Sequence, residues 1–264
     1  MAVSLSAFDL GLASLLVLAL AFLSRRLGLG IEGQLLWAAL RTAVQLSLIG
    51  LVLKVLFHSV HPAWVGLMAA VMLGAAGREV MVRQKRRLAG PWGYGVGTLS
   101  MFLSAFTVTL LALLVVVQPA PWYSPQYAIP LLGMLLGNTM SGVALALDRV
   151  TQGAWQQRGA IEARLLLGQD AATAISDLRL EAMRSGTIPI INAMAAAGII
   201  SLPGMMTGQI LAGAPPLEAV KYQILIMFLI SGGTGFGTMA AVWLGTHRLF
   251  DARQRLRLDR LTGR

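Results

Sequence analysis

The 264-residue sequence is 56% hydrophobic and 12% charged, with a mean hydropathy of +0.72 and a formal net charge of +10. Soluble domains carry about 25% charged residues, so a water-soluble fold is excluded. The absence of cysteine excludes disulfides and thiolate metal sites within this sequence.

In chain order, seven apolar runs approach the ~20 residues that cross ~30 Å of hydrocarbon: about 5–24, 34–57, 62–82, 95–117, 127–147, 187–212 and 221–246. Lipid offers no hydrogen bonds to an open backbone, so such runs are predicted as helices. The expected fold is an all-α, polytopic integral membrane protein with about seven spans, read as a single permease domain over 1–264.

The basic residues decide the orientation. Arg25 and Arg26 follow the first run; Arg83, Lys85, Arg86 and Arg87 follow the third. Arg149, Arg158, Arg164, Arg179 and Arg184 lie between the fifth and sixth, and Arg248, Arg253, Arg255, Arg257, Arg260 and Arg264 follow the seventh. The N-terminus and the stretches 58–61, 118–126 and 213–219 contain no Lys or Arg. By the positive-inside rule the N-terminus is outside and the C-terminus cytoplasmic, in a bacterial inner membrane. Charge follows the first run and does not precede it, so that run is expected to be a retained N-out span and not a cleaved signal. The Arg-rich tail is expected to lie on anionic lipid, with no nucleic-acid partner.

The largest hydrophilic piece, about 149–186, is rich in helix formers from Ala154 to Leu167, broken at Gly168 and restarted by Asp170 as an N-cap. A helix, a glycine corner and a second helix are predicted on the cytoplasmic side. A simple connection needs fewer residues, so this segment is expected to bind a partner. Within the spans, Gly133, Gly137 and Ser141, and Gly204 and Gly208, have the four-residue spacing of close helix packing. Pro189 is expected to open the sixth span, with Pro203-Gly204 bending it inside the membrane. The glycine-rich run 231–237 follows no strand and sits in one continuous span, so helix packing is preferred to a dinucleotide loop or an ion filter.

Chemistry-bearing residues are sparse. His58 and His61 are read as ordinary loop residues. Intramembrane polar groups are costly and point to pathways or interhelical bonds. Arg41 and Gln45 share a face of the second span; Asn138 and Ser141 share one of the fifth; Asn192 and Gln209 lie toward the two ends of the sixth. Met205 and Met206 belong to a methionine cluster suited either to soft metals or to irregular packing. The candidate pathway residues are therefore Arg41, Gln45, Asn138, Asn192, Pro203, Met205, Met206 and Gln209; no metal ligand set is assigned. Lys54, Lys85 and Lys221 each lack a preceding glycine, so the phosphate-binding Gly-Lys-Ser/Thr loop is missing. No cofactor is expected on this chain, and no catalytic residue.

The run Glu162-Ala163-Arg164-Leu165-Leu166-Leu167-Gly168 resembles the Glu-Ala-Ala-x-x-x-Gly motif of ABC-transporter permeases, although the Ile-Pro that follows, Ile188-Pro189, comes later than usual. Longer stretches are similar to the FetB type of iron-export permeases: Arg41 to Leu46, Ile129 to Met134, Gly137 to Thr139, Arg184 to Asn192, Ser201 to Gly213 and Val220 to Ile224. The resemblance implies a permease subunit, paired as a homodimer with cytoplasmic ATPases that carry ATP and Mg, exporting iron. It implies an ATPase-coupling corner at Glu162, Ala163, Arg164, Gly168, Gln169 and Asp170. Plant relatives of that family are linked to aluminium tolerance. The open alternatives are an ATP-independent secondary transporter and an ABC permease for a non-metal cargo such as a sugar nucleotide.

Overall fold

The computed structural model describes residues 6–58 and 61–263. It is almost wholly helical, and the described chain packs as two compact units: residues 6–58 with 211–214, and 61–210 with 215–263. Among the described residues, six helices are long and apolar enough to cross a membrane.

The first unit holds α1 (Ala7–Arg26) and α2 (Glu32–His58). A capping box starts α1: Asp9 N donates to Ser6 Oγ, and the Ser6 N–H donates to Asp9 Oδ2 at 2.8 Å. Gly28 and Gly30 take positive φ values of 66° and 69° in the connection, and Ser24 Oγ donates to Glu32 across it at 3.2 Å. Both helices are mainly apolar and expose most of that surface, as a lipid-facing span does.

In the second unit, α3 (Pro62–Arg83) leads through β1 (Arg86–Leu88) into one rod, Trp92–Val117. That rod joins α4 (Trp92–Met101) and α5 (Thr107–Leu111) through two π-helical stretches, Phe102–Phe106 and Ala112–Val117. The long α6 (Pro125–Gln156) follows, then α7 (Arg158–Leu166), the single turn α8 (Ala171–Ala174), α9 (Ser176–Ala196), α10 (Gly204–Leu211) and α11 (Pro216–Arg248). A short β2 (Leu261–Gly263) pairs antiparallel with β1, setting Arg86 against Gly263 and Leu88 against Leu261.

The core is the seam where α6, α9 and α11 meet. A Cβ added to Gly142 would lie 2.7 Å from the Gly186 carbonyl and 2.7 Å from Thr234 Cγ2. One added to Gly186 would lie 2.6 Å from the Gly142 carbonyl and 2.6 Å from Thr238 Cγ2. The backbones of α6 and α9 therefore touch, a contact that only glycine permits. Gly237 in the run 231–237 meets Thr139 and Ser104 in the same close way, so helix packing does explain that run. The glycines singled out by spacing behave differently. Gly133 meets Met72, but Gly137, Gly204 and Gly208 face open space, so the close-packing expectation fails for those three. Spacing alone does not tell a packed face from an open one.

Two corrections concern the predicted sixth span, 187–212. Pro189 lies inside α9 and does not open a helix. The disruption expected at Pro203-Gly204 is wider than a bend: the helix stops at Ala196 and resumes at Gly204, and between them Gly198 has φ +85° and its N–H donates to the Ser201 carbonyl at 2.9 Å. The 8-residue α10 rises only ~12 Å, too short to cross alone.

The basic stretches 83–88, 149–186 and 248–263 gather at one end of this unit. Lys85 N donates to Asp148, Thr151 Oγ1 donates to the Arg86 carbonyl, and Arg86 stacks 4.0 Å from the Trp155 ring centre. The tail folds back on itself through its own ion pairs. Arg255 pairs with Asp251 at 2.8 Å, Arg257 with Asp259 at 2.8 Å, and Arg260 donates to the Arg248 and Phe250 carbonyls. Arg264 lies outside the described residues. The Arg255 backbone N–H, helped by its guanidinium and the Arg253 N–H, lowers the Asp251 carboxyl from 3.8 to about 2 against the opposing effect of burial.

Gly186→Ala should therefore cost about 1–3 kcal/mol in a thermal melt of the detergent-solubilised protein. Gly137→Ala, into open space, should change stability by no more than about 0.5 kcal/mol. An NMR titration of the Asp251 carboxyl should find its midpoint near 2. Because that value is depressed, its contribution to the folded tail is fully present above the ordinary 3.8 and is lost as pH falls through about 2.

Candidate functional site: the coupling corner and the cavities beside α10

The corner after α7 is built from local rules. Gly168 ends the helix with φ +87°, and its N–H donates to the Leu165 carbonyl at 3.0 Å while the Gln169 N–H donates to the Arg164 carbonyl at 3.1 Å. Asp170 then caps α8, accepting from Thr173 N at 3.0 Å, and hydrogen bonds from Thr173 hold its carboxyl below the ordinary range. The predicted cap and glycine corner are where the sequence placed them.

What the corner presents is apolar. Leu166 and Leu167 are 88% and 83% exposed, while Ile161 on the same helix is buried. Glu162 and Ala163 are exposed beside them. Arg164 turns inward, donating to the Ala174 carbonyl at 3.3 Å and pairing with Asp177 at 2.6 Å. Glu162, Leu165, Leu166 and Gln169 line a hollow of about 490 Å³ whose other wall is the tail segment Arg253–Leu256. Gln254 Oε1 accepts from Ala171 N at 2.8 Å and ties that tail to the first residue of α8. The role of Gln254 was not legible in the sequence, because it depends on an 83-residue separation and a positive φ of 58°.

The corner is rigidly joined to the bundle. The helix of the predicted fifth span does not stop near 147 but runs on to Gln156, and α9 continues from the corner back into the apolar region. An Arg149–Glu181 ion pair bridges α6 and α9, and Gly153 leaves room for the Leu178 side chain.

The pathway candidates are dispersed. Arg41 and Gln45 lie on α2 in the first unit, half-buried and exposed respectively. Asn138 donates to the carbonyl of Met134 and Ser141 to that of Gly137, so each bonds within its own helix and not between helices. Asn192 is exposed on α9. The other candidates converge on α10. Pro203 and Met206 line a cavity of about 490 Å³ with Met194, Leu202, Gln223 and Met227. Met205 and Gln209 line another of about 260 Å³ with Tyr127, Met134 and Tyr222.

Two features were missed by sequence reasoning. Gln223, buried in α11, accepts from Met206 N at 3.3 Å and so caps the broken helix; a lone glutamine in an apolar run was the available signal. Thr139, Thr234 and Thr238 are buried at the α6–α11 seam, and among the described residues their hydroxyl oxygens have no hydrogen-bond partner. His61 caps α3 through Nδ1, which accepts from Ala63 N at 3.2 Å, an ordinary structural task. Among the described residues, no three His, Asp or Glu side chains gather as a metal cage.

Comparison with known proteins matches residues 7–250 to a family described as "Uncharacterised protein family (UPF0014)". The UPF0014 membrane protein slr1647 of Synechocystis is 42% identical over 87% of this chain and 88% of its own length. The Arabidopsis thaliana protein named ALUMINUM SENSITIVE 3 is 31% identical over 88% and 83%. The Escherichia coli "Probable iron export permease protein FetB" is 28% identical over 96% and 95%. No solved structure matches the chain. With the family match spanning nearly all of a multi-pass helical fold, this membrane protein belongs to the UPF0014 family.

Proposed function

We propose that this chain is the permease subunit of an ATP-driven metal-ion exporter in the bacterial inner membrane, moved by a separate cytoplasmic ATPase. The observation that carries the reading is the corner at Gly168. Two leucines stand almost fully in solvent at the tip of a capped, rigid helix turn, attached on both sides to helices that enter the membrane bundle. Exposed apolar side chains on a structured polar rim mark a protein-binding surface. A partner that closes against them would push α6 and α9 together. Their glycine contact then hands the motion to α11. Iron is the first cargo to test, on the strength of the name given to the Escherichia coli relative. The N-out, C-in orientation is part of this proposal, and the gathering of the basic stretches at one end of the second unit supports it.

The test is reconstitution of the chain in liposomes with its candidate ATPase, reading ATP-dependent movement of ferrous iron. Leu166→Asp with Leu167→Asp removes no packing, so the double variant should fold normally. It should nonetheless lose at least about tenfold of coupled transport, since each lost apolar anchor at an interface centre is worth about 2 kcal/mol. Normal transport by that variant would overturn the corner as the docking surface. Gln254→Ala deletes one hydrogen bond worth about 1 kcal/mol and should lower coupled ATPase activity by a smaller factor, with the melting temperature nearly unchanged. ATP hydrolysis that is coupled but indifferent to iron would leave the permease reading standing and change its cargo.

A further inference from the structure

We propose that the cavity lined by Met134, Met205 and Gln209 is a binding site for a soft monovalent cation of the copper(I) class. Three observations converge on it. Gln209 borders the cavity, and its Oε1 is buried with no hydrogen-bond partner among the described residues, a costly state for an amide oxygen. Met205 and Gln209 are four residues apart on α10, so both face the same way, and both line the cavity of about 260 Å³. Met134 lines the cavity from α6, as do Tyr127 from α6 and Tyr222 from α11.

The chemistry of the donors selects the ion. Thioethers bind soft metals, copper(I) above all, and bind hard or borderline dications poorly. No Asp or Glu lines the cavity, so nothing there neutralises a divalent charge. The cost of burying an ion rises steeply with its charge, which favours a single positive charge among neutral ligands. Methionine used as packing filler sits in a filled core. Here Met205 is half-exposed and lines open volume. The proposal rests on the exporter reading only in treating the bound ion as cargo; binding itself belongs to the chain alone.

The experiment is calorimetric titration of the purified, detergent-solubilised chain with silver(I), a redox-silent stand-in for copper(I). The sequence has no cysteine to compete. The wild type should show a tight event at this cavity, told apart from any at the Met194, Met206 and Met227 cavity by the variants below. Met134→Leu with Met205→Leu conserves volume and keeps every other methionine and all three histidines. That double variant should lose the tight event, with binding at least tenfold weaker at an unchanged melting temperature. Gln209→Leu should weaken it several-fold, and Met205→Leu alone covers the case of a double variant that does not fold. Wild-type-like titration in a folded Met205→Leu chain would overturn the site. Displacement of silver by equimolar ferrous iron would overturn the soft, monovalent assignment. Neither result depends on the ATPase, so a failure of coupled transport is read separately.

Discussion

The backbone contact between Gly142 and Gly186 is the constraint on which the second unit depends. Each carbonyl occupies the space where the other glycine's Cβ would be, and the methyl groups of Thr234 and Thr238 fill what remains. Lipid is as apolar as leucine, so helices in a membrane gain little by hiding apolar surface from it. Close van der Waals approach is what draws them together. That explains why Gly and Thr hold the closest approaches of the seam, among the buried Leu, Ile and Val side chains of the same three helices. It also explains why the three threonine hydroxyls remain without partners among the described residues: the geometry that seats their methyl groups leaves their oxygens between helices.

From that seam two rods run to the same corner. α6 passes beyond the apolar region to Gln156, and α9 begins just after the capped turn at Asp170. The ion pair of Arg149 with Glu181 and the seat of Leu178 against Gly153 hold the rods side by side. The pair is partly exposed and contributes little energy by itself. Its role is to keep the rods from slipping, and the tail adds a third support through Gln254. The corner is thus a fixed part of the bundle and not a loose loop.

Most of the helical architecture was legible because the bilayer demands long apolar runs, and six of seven predicted runs are helices of spanning length. The corner was legible too, since a left-handed glycine and an Asp cap are local decisions. What escaped were features set by distant contacts. In the predicted sixth span the disruption at Pro203-Gly204 was legible, but not its extent back to Gly198 nor the support that Gln223 of α11 gives the restarted helix. Four-residue spacing named Gly137, Gly204 and Gly208, which face open space, and passed over Gly142, Gly153 and Gly186, which meet other helices. The ion pairs of Asp251 with Arg255 and of Asp259 with Arg257, which fold the tail back on itself, were not read from the sequence. Of the pathway residues, α10 gathers four around two cavities. Asn138 is satisfied by its own helix, and Asn192 points outward.

The position of the Gly142 contact along α6 has a mechanical meaning. From Gly142 to Gln156 the helix extends about 21 Å, and from Gly142 back to Pro125 about 26 Å, at 1.5 Å per residue. A rod pinned near its middle behaves as a see-saw. Were a partner to push on the corner as proposed, tilting about the pin would carry the two ends in opposite directions by comparable amounts, without any change in the length or winding of the helix.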